Sequence, residues 1–410
     1  MSEPSLTSRL RGGLSPASRS RGSVSLTSRL RGSLLGGALG DALGAPIEFM
    51  KGPAIRARFG ERGLQHFAPA YGHPPIAGAI TDDTQMTLFT AEGLIRAELR
   101  GAATGGCHLP SVVHHAYRRW LLTQGERWSE EATGSGAPWE PDGWLIGERF
   151  LHARRAPGGT CLAALRVPGP YGRQAANDSK GCGGVMRVAP VGFLYRAGEG
   201  VAVFRLGVEI AALTHGHRTG QLPAGVLAAA IHALVHEGCG LAAALDAATK
   251  ILREAPDHDE TLRPLAAARE LAAQGAPSAE RLETLGGGWI AEEALAIAVY
   301  AALSYPDDLR AALVLAANHS GDSDSTAAIC GNLLGAALGE SALPADWLAE
   351  LEGRAVITQL ADDFALLLER AAPESGTGSE PGAGAPRMPR IPRIPRIPAP
   401  EAWRERYPGT

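Results

Sequence analysis

Three short stretches carry side chains able to do chemistry, and all three are acidic. Residues 36–50, GGALGDALGAPIEFM, put Glu48 just past a helix break at Pro46, in a segment otherwise apolar from Ala45 to Met50. A carboxylate in such company needs a partner or a cation. Residues 81–89, TDDTQMTLF, set Asp82 and Asp83 beside the hydroxyl of Thr81. The run reads first as a helix cap with acids at the favourable end of the dipole, and also as a compact set of hard oxygen ligands. Residues 318–339, NHSGDSDSTAAICGNLLGAALG, place Asp322 and Asp324 ahead of a helical run that opens on Ser325 and Thr326. Cap and ligand set share that signature too. An EF-hand is excluded, because the sixth and twelfth positions from Asp322 are Ala327 and Leu333, where Gly and Glu are required.

Taken together, Glu48, Asp82, Asp83, Asp322 and Asp324 are five carboxylates at helix ends. If they converge, each like-charged pair about 4 Å apart repels by up to ~4 kcal/mol at an effective dielectric near 20. Such a site stays ionised only with cations in it. Two divalent ions would offset most of the charge, and all-oxygen ligation points to Mg²⁺ or Mn²⁺ over zinc. The spacing itself leaves convergence open.

The elements that would position these acids are helices. Leu88, Ala91, Ile95 and Leu99 follow helical spacing after a polar start, and 223–236, 241–252, 291–303, 308–317 and 325–339 repeat the pattern between Gly-, Pro- or Asp-rich turns. Runs of alternating β-branched residues are nearly absent. Gly36, Gly40 and Gly44 recur every four residues, which lets one helix approach another closely. With 45% hydrophobic, 20% charged and only 5% aromatic residues, the composition suits closely packed helices. The expected fold is all-α, a single compact domain over 33–370, with 121–180 as its long irregular region.

The flanks differ in kind. Residues 1–32 hold six Arg and one Glu and repeat SLTSRLRG at 5–12 and 25–32; they read as a disordered Ser/Arg-rich tail. Residues 371–410 read as a Pro/Arg-rich disordered tail, with Arg387, Arg390, Arg393 and Arg396 along one edge of a polyproline helix. The net charge of −4 therefore hides an acidic body, which disfavours nucleic acid as a partner of the core. No apolar run is long enough to span a membrane. Five scattered cysteines without a CxxC argue against a disulfide framework and suit the cytoplasm.

The acidic stretches resemble the motifs of the ADP-ribosylglycohydrolase family. GDxxGxxxE stands as Gly40-Asp41, Gly44 and Glu48; TDDT as Thr81 to Thr84; and G-D-[ST]-D-[ST] as Gly321 to Ser325. NDSKGCGGVMRVAP (177–190), LTHGHRTG (213–220) and GGGWIAEEALAIAVYAAL (286–303) agree in the same order. The resemblance covers about 33–370 and implies an all-α hydrolase with two Mg²⁺ or Mn²⁺ ions. By similarity, Thr81, Asp82, Asp83 and Asp324 hold one ion and Asp322, Asp324 and Ser325 the other, with Asp324 bridging. Glu48, Asp82, Asp83 and Asp324 are the implied catalytic residues, and Glu48 or an Asp orients the water. Cys182, Gly183, Gly184 and His215 are implied substrate contacts, with Cys182 standing where many members have Asn. The implied reaction cleaves the glycosidic bond between ADP-ribose and a protein side chain or small ADP-ribosyl compound. A second reading is a catalytically inactive binding or structural member of the same fold.

Other residues read more plainly. His232 and His236 form HxxxH without the Glu of a zinc protease and read as packing. His217 and His319 read as surface loop residues, with phosphate contact as the alternative. Trp289 reads as core packing, with adenine stacking as the alternative.

Overall fold

The computed structural model describes residues 24–126, 141–371 and 400–409. Its α-helices, in chain order, are α1 (Leu26–Gly44), α2 (Gly52–Phe59), α3 (Asp82–Thr104), α4 (Leu109–Thr123), α5 (Trp144–Gly147), α6 (Gly159–Arg166), α7 (Gly200–Ala212), α8 (Arg218–His232) and α9 (Leu241–Arg253). There follow α10 (Asp259–Ala273), α11 (Ala279–Glu283), α12 (Ala291–Ser304), α13 (Leu309–Ala317), α14 (Ser323–Leu338), α15 (Ala345–Glu350), α16 (Arg354–Ala371) and α17 (Glu401–Arg406). Extended pairing among the described residues is confined to two isolated bridges, Tyr71 with Ile76 and Gly181 with Ile290. The fold is all-α, and no described helix is long and apolar enough to cross a membrane.

Helices buried on every side form the centre. Every residue of α1 from Gly32 to Gly44, of α3 from Asp82 to Glu98 and of α14 from Ser323 to Ala336 is buried. A helix without a solvent face belongs inside a larger body. Small residues make this possible. A Cβ on Gly32, Gly36, Gly40 or Gly44 would fall 2.2, 2.5, 2.1 or 2.3 Å from backbone atoms of Gly335, Gly331, Ala327 and Asp324 respectively. As numbers rise along α1 they fall along α14, so the pair is antiparallel with its backbones nearly touching. The C-terminus of α1 thereby meets the N-terminus of α14.

Both ends of the domain extend beyond the boundaries expected from composition. The second SLTSRLRG copy is the N-cap and first two turns of α1, capped when Ser25 Oγ accepts from Ser28 N–H. Leu30 is fully buried, Arg29 donates to the carbonyls of Ala336 and Ala337, and Arg31 pairs with Asp362 and Glu340. Serine and arginine there serve as cap and carbonyl partners, a use that composition alone does not reveal. At the other end α17 packs back with Trp403 and Tyr407 buried. Asp363 of α16 accepts from Trp403 Nε1 (3.0 Å), Arg406 Nη2 (2.9 Å) and the Tyr407 hydroxyl (2.8 Å). Two aromatic anchors outweigh the Pro/Arg-rich composition around them. The first SLTSRLRG copy and the Arg-Ile-Pro repeats lie outside the described residues.

Candidate active site and metal centre

Each acidic stretch is placed by a helix end, and all three ends meet. Asp41, in the last turn of α1, is fully buried and reaches the first turn of α3. It accepts from Thr81 N–H (3.0 Å) and Oγ1 (2.8 Å) and from Thr84 N–H (3.1 Å) and its hydroxyl. That clamp holds the TDDT turn on α1. Thr81 Oγ1 also lies 3.3 Å from Asp324 Oδ2, which ties the turn to α14. Asp322 is the N-cap of α14, and its own N–H donates to Gly287 O at 2.8 Å. Glu48 follows the end of α1, and donor atoms of Glu48, Asp322 and Asp324 all lie within 4.8 Å of one another.

The electrostatics are those of an uncompensated cluster. Burial first, then neighbouring carboxylates, pushes the Asp41 carboxyl up to about 7 and that of Glu48 up to about 10. Burial also drives Asp82, Asp83 and Asp322 well above the ordinary carboxylate range and raises Asp324. Among the described residues none of the six forms an ion pair with a Lys or Arg. Glu48 Oε2 and Asp83 Oδ2 are buried without a hydrogen-bond partner. Orphaned oxygens on an acidic wall fit divalent cations, since a hard cation supplies both the missing partner and the missing charge.

Two long-range supports come from loops. Arg155 Nη1 donates to Ile80 O at 2.6 Å and pairs with Glu352, which fixes the residue before Thr81. Gly158 N–H donates to Asp82 Oδ2 at 3.0 Å. Both belong to the 121–180 region, where the sequence has no interpretable pattern. Asp41 was within reach of sequence reasoning, because it lies one helical turn before Gly44 inside a motif already noted. Its role was not.

The glycine loop sits beside the acids. Cys182, Gly183 and Gly184 form a single 3₁₀ turn. Cys182 N–H donates to Trp289 O (3.2 Å), and its Sγ lies 2.9 Å from Asp322 Oδ2; burial pushes the thiol well above its usual range. A Cβ on Gly183 would meet Cys161 Sγ at 2.7 Å, and one on Gly184 would meet Ala211 Cβ at 2.9 Å, so packing requires both glycines. His215 is 1% exposed and lies against Gly181 and Gly183, with Nδ1 2.8 Å from Thr214 Oγ1. It supports the loop and presents almost no surface to a cleft. Burial, then Arg187, pushes its imidazole down to about 3.

Two other placements differ from expectation. Trp289 is not a core residue: it is 42% exposed and stacks on Phe49, itself 71% exposed, with ring centroids 5.8 Å apart. Its carbonyl accepts from Cys182 N–H, and its indole lies exposed against Phe49. His319 is not on the surface: it is buried, with Nε2 2.9 Å from Thr326 Oγ1. His217 caps α8 by accepting from Thr219 N–H, and His232 and His236 face the carbonyls of Leu194 and Phe193.

The sequence profile of ADP-ribosylglycohydrolases matches residues 23–375. The chain belongs to the ADP-ribosylglycohydrolase family. A Rhodospirillum rubrum ADP-ribosyl-[dinitrogen reductase] glycohydrolase is 25% identical over 327 residues, covering 78% of this chain and 89% of that protein. The ADP-ribosylarginine hydrolase Tri1 of Pseudomonas putida is 28% identical over 337 residues, covering 81% of this chain and 76% of its own. A solved structure titled as an ADP-ribosylglycohydrolase-related protein complex shares the fold, at a TM-score of 0.51 and 24% identity over 83% of this chain and 97% of that one. The profile begins at 23, in keeping with the early start of α1.

Proposed function

We propose that this family member hydrolyses the glycosidic bond joining ADP-ribose to a protein side chain or small molecule, using two Mg²⁺ or Mn²⁺ ions. The observation that carries this is the buried carboxylates of Glu48, Asp322 and Asp324, with donor atoms within 4.8 Å of one another, beside the TDDT turn that Thr81 ties to Asp41 and Asp324, with no Lys or Arg paired to any of them among the described residues. Thr81, Asp82, Asp83 and Asp324 would hold one ion, and Asp322, Asp324 and Ser325 the other. When bound, such ions lower the pKa of a coordinated water and polarise ribose oxygens.

The chain's own residues do the rest. Asp41 keeps Thr81 and Thr84 fixed, so the TDDT carboxylates are preorganised. The negative field of the cluster favours the oxocarbenium-like state through which glycosidic bonds break. Glu48, on the segment that leaves α1, would orient the attacking water and, ionised beside bound cations, take its proton. The exposed Phe49–Trp289 pair offers a flat aromatic face beside Glu48 on which adenine stacks.

The test is mass spectrometry of products from a panel of ADP-ribosylated substrates, with arginine, serine and small-molecule acceptors, with and without Mg²⁺ or Mn²⁺. Cation-dependent release of free ADP-ribose from at least one is expected. No release from any of them, with the cation bound, would overturn the assignment.

A further inference from the structure

Arg187 carries a positive charge into the interior and leaves it unpaired. Its side chain is fully buried, and among the described residues no carboxylate forms an ion pair with it. A buried charge persists only where its surroundings replace the lost water. Here neutral groups do so. Nη1 donates to Gly183 O at 2.6 Å and lies 3.2 Å from Cys161 Sγ, Nη2 donates to Thr214 Oγ1 at 2.7 Å, and the guanidinium lies over the Tyr117 ring, 4.4 Å from its centroid. Nε is buried without a partner. Burial pushes the Cys161 thiol and the Tyr117 phenol up, so neither is an anion. The guanidinium is solvated but not neutralised.

That charge stands directly behind the glycine turn. Cys182 touches Asp322 through its Sγ, while the next residue, Gly183, turns its carbonyl onto Arg187. The turn therefore separates the acidic cluster from the buried cation. ADP-ribose matches such a division, because its ribose hydroxyls suit cations held by acids, whereas its diphosphate bears two negative charges that a wall of carboxylates repels.

We propose that Arg187 is a positioning residue for the diphosphate of ADP-ribose. From behind the 182–184 turn it locks the turn through Gly183 O and supplies the fixed positive potential that draws the diphosphate onto it. The substrate, and no carboxylate of the chain, is then the counter-charge of Arg187. A phosphate on the turn, about 8 Å from the guanidinium, gains about tenfold or more in affinity at an effective dielectric near 20. The inference rests on ADP-ribose being the substrate, as proposed above, with the 182–184 turn as its contact.

The full chain with Mn²⁺ is titrated calorimetrically with ADP-ribose, ADP and adenosine, in wild type, Arg187→Lys and Arg187→Met. The Met variant, which keeps the bulk and loses the charge, should bind ADP-ribose and ADP about tenfold or more weakly, with adenosine and Mn²⁺ affinity kept. The Lys variant should recover most of that loss, and for the Met variant KM for an ADP-ribosylated substrate should rise with little change in kcat. Equal losses for adenosine and ADP-ribose, Lys and Met variants that behave alike, or loss of Mn²⁺ binding in both would make Arg187 a structural residue and overturn the inference. Wild type that binds Mn²⁺ but not ADP-ribose would overturn the substrate reading itself.

Discussion

Replacing Gly44 by Ala tests whether the helix pair sets the site. A Cβ there would lie 2.3 Å from both Asp324 N and Ser323 O, atoms of backbone that cannot rotate aside. Real Cβ contacts do not fall below 3.0 Å, so α1 and the start of α14 must part by at least 0.7 Å. Overpacking of this kind costs about 1–3 kcal/mol, and Ala returns about 1 kcal/mol of helix propensity. Net stability should therefore fall by only ~0–2 kcal/mol. Function should suffer more, because Asp324 moves away from Asp41 and Thr81 by more than the ~0.5 Å that a preorganised site tolerates. Mn²⁺ affinity by calorimetry should fall about ten- to a hundredfold, with hydrolysis falling at least as far. Gly101→Ala is the control: its Cβ would meet Cys107 Cβ at 3.5 Å, an ordinary contact, so it should gain about 0.5–1 kcal/mol and keep Mn²⁺ binding. A Gly44→Ala protein that binds Mn²⁺ as wild type does would refute the close antiparallel packing of α1 on α14.

Three other outcomes follow from the same geometry. Chelation with EDTA should lower the melting temperature: one ion at about 100 times its dissociation constant contributes ~2.7 kcal/mol, or roughly 3–4 °C for a domain spanning 23–375; an unchanged melting temperature would count against bound cations. Without cations, the folded protein holds protons on Asp41 and Glu48 that the unfolded chain has released. Its stability should then fall as pH rises from about 4, giving a lower melting temperature in EDTA at pH 8 than at pH 5, with the dependence weakened or reversed by excess Mn²⁺. Asp363→Ala leaves the buried Trp403 and Tyr407 donors and the half-buried Arg406 without their acceptor, so denaturant titration should show a loss of ~3–5 kcal/mol and iodide should quench Trp403 more readily; a protein as stable as wild type would mean that α17 is not anchored there.

Much of this was legible in sequence because it rests on local periodicity. The helices expected at 241–252, 291–303 and 308–317 are α9, α12 and α13 within a residue at each end, and the four-residue glycine spacing of α1 is its contact with α14. What escaped was set by tertiary partners. The second SLTSRLRG copy has a tail's composition, yet Leu30 finds the core and Arg31 finds Asp362 more than 300 residues away. Trp289 sits in a helical-looking motif, but its indole lies exposed against Phe49, while His319 is drawn inward by Thr326. Arg155 and Gly158 reach the acids from a region with no periodic signal at all.

The central claim is that acids distant in sequence trap a pair of divalent cations. Anomalous scattering from crystals soaked in Mn²⁺ tests it most directly. The account predicts two strong peaks, one bounded by Thr81, Asp82, Asp83 and Asp324 and one by Asp322, Asp324 and Ser325. Peaks only at the molecular surface, or none, would contradict it.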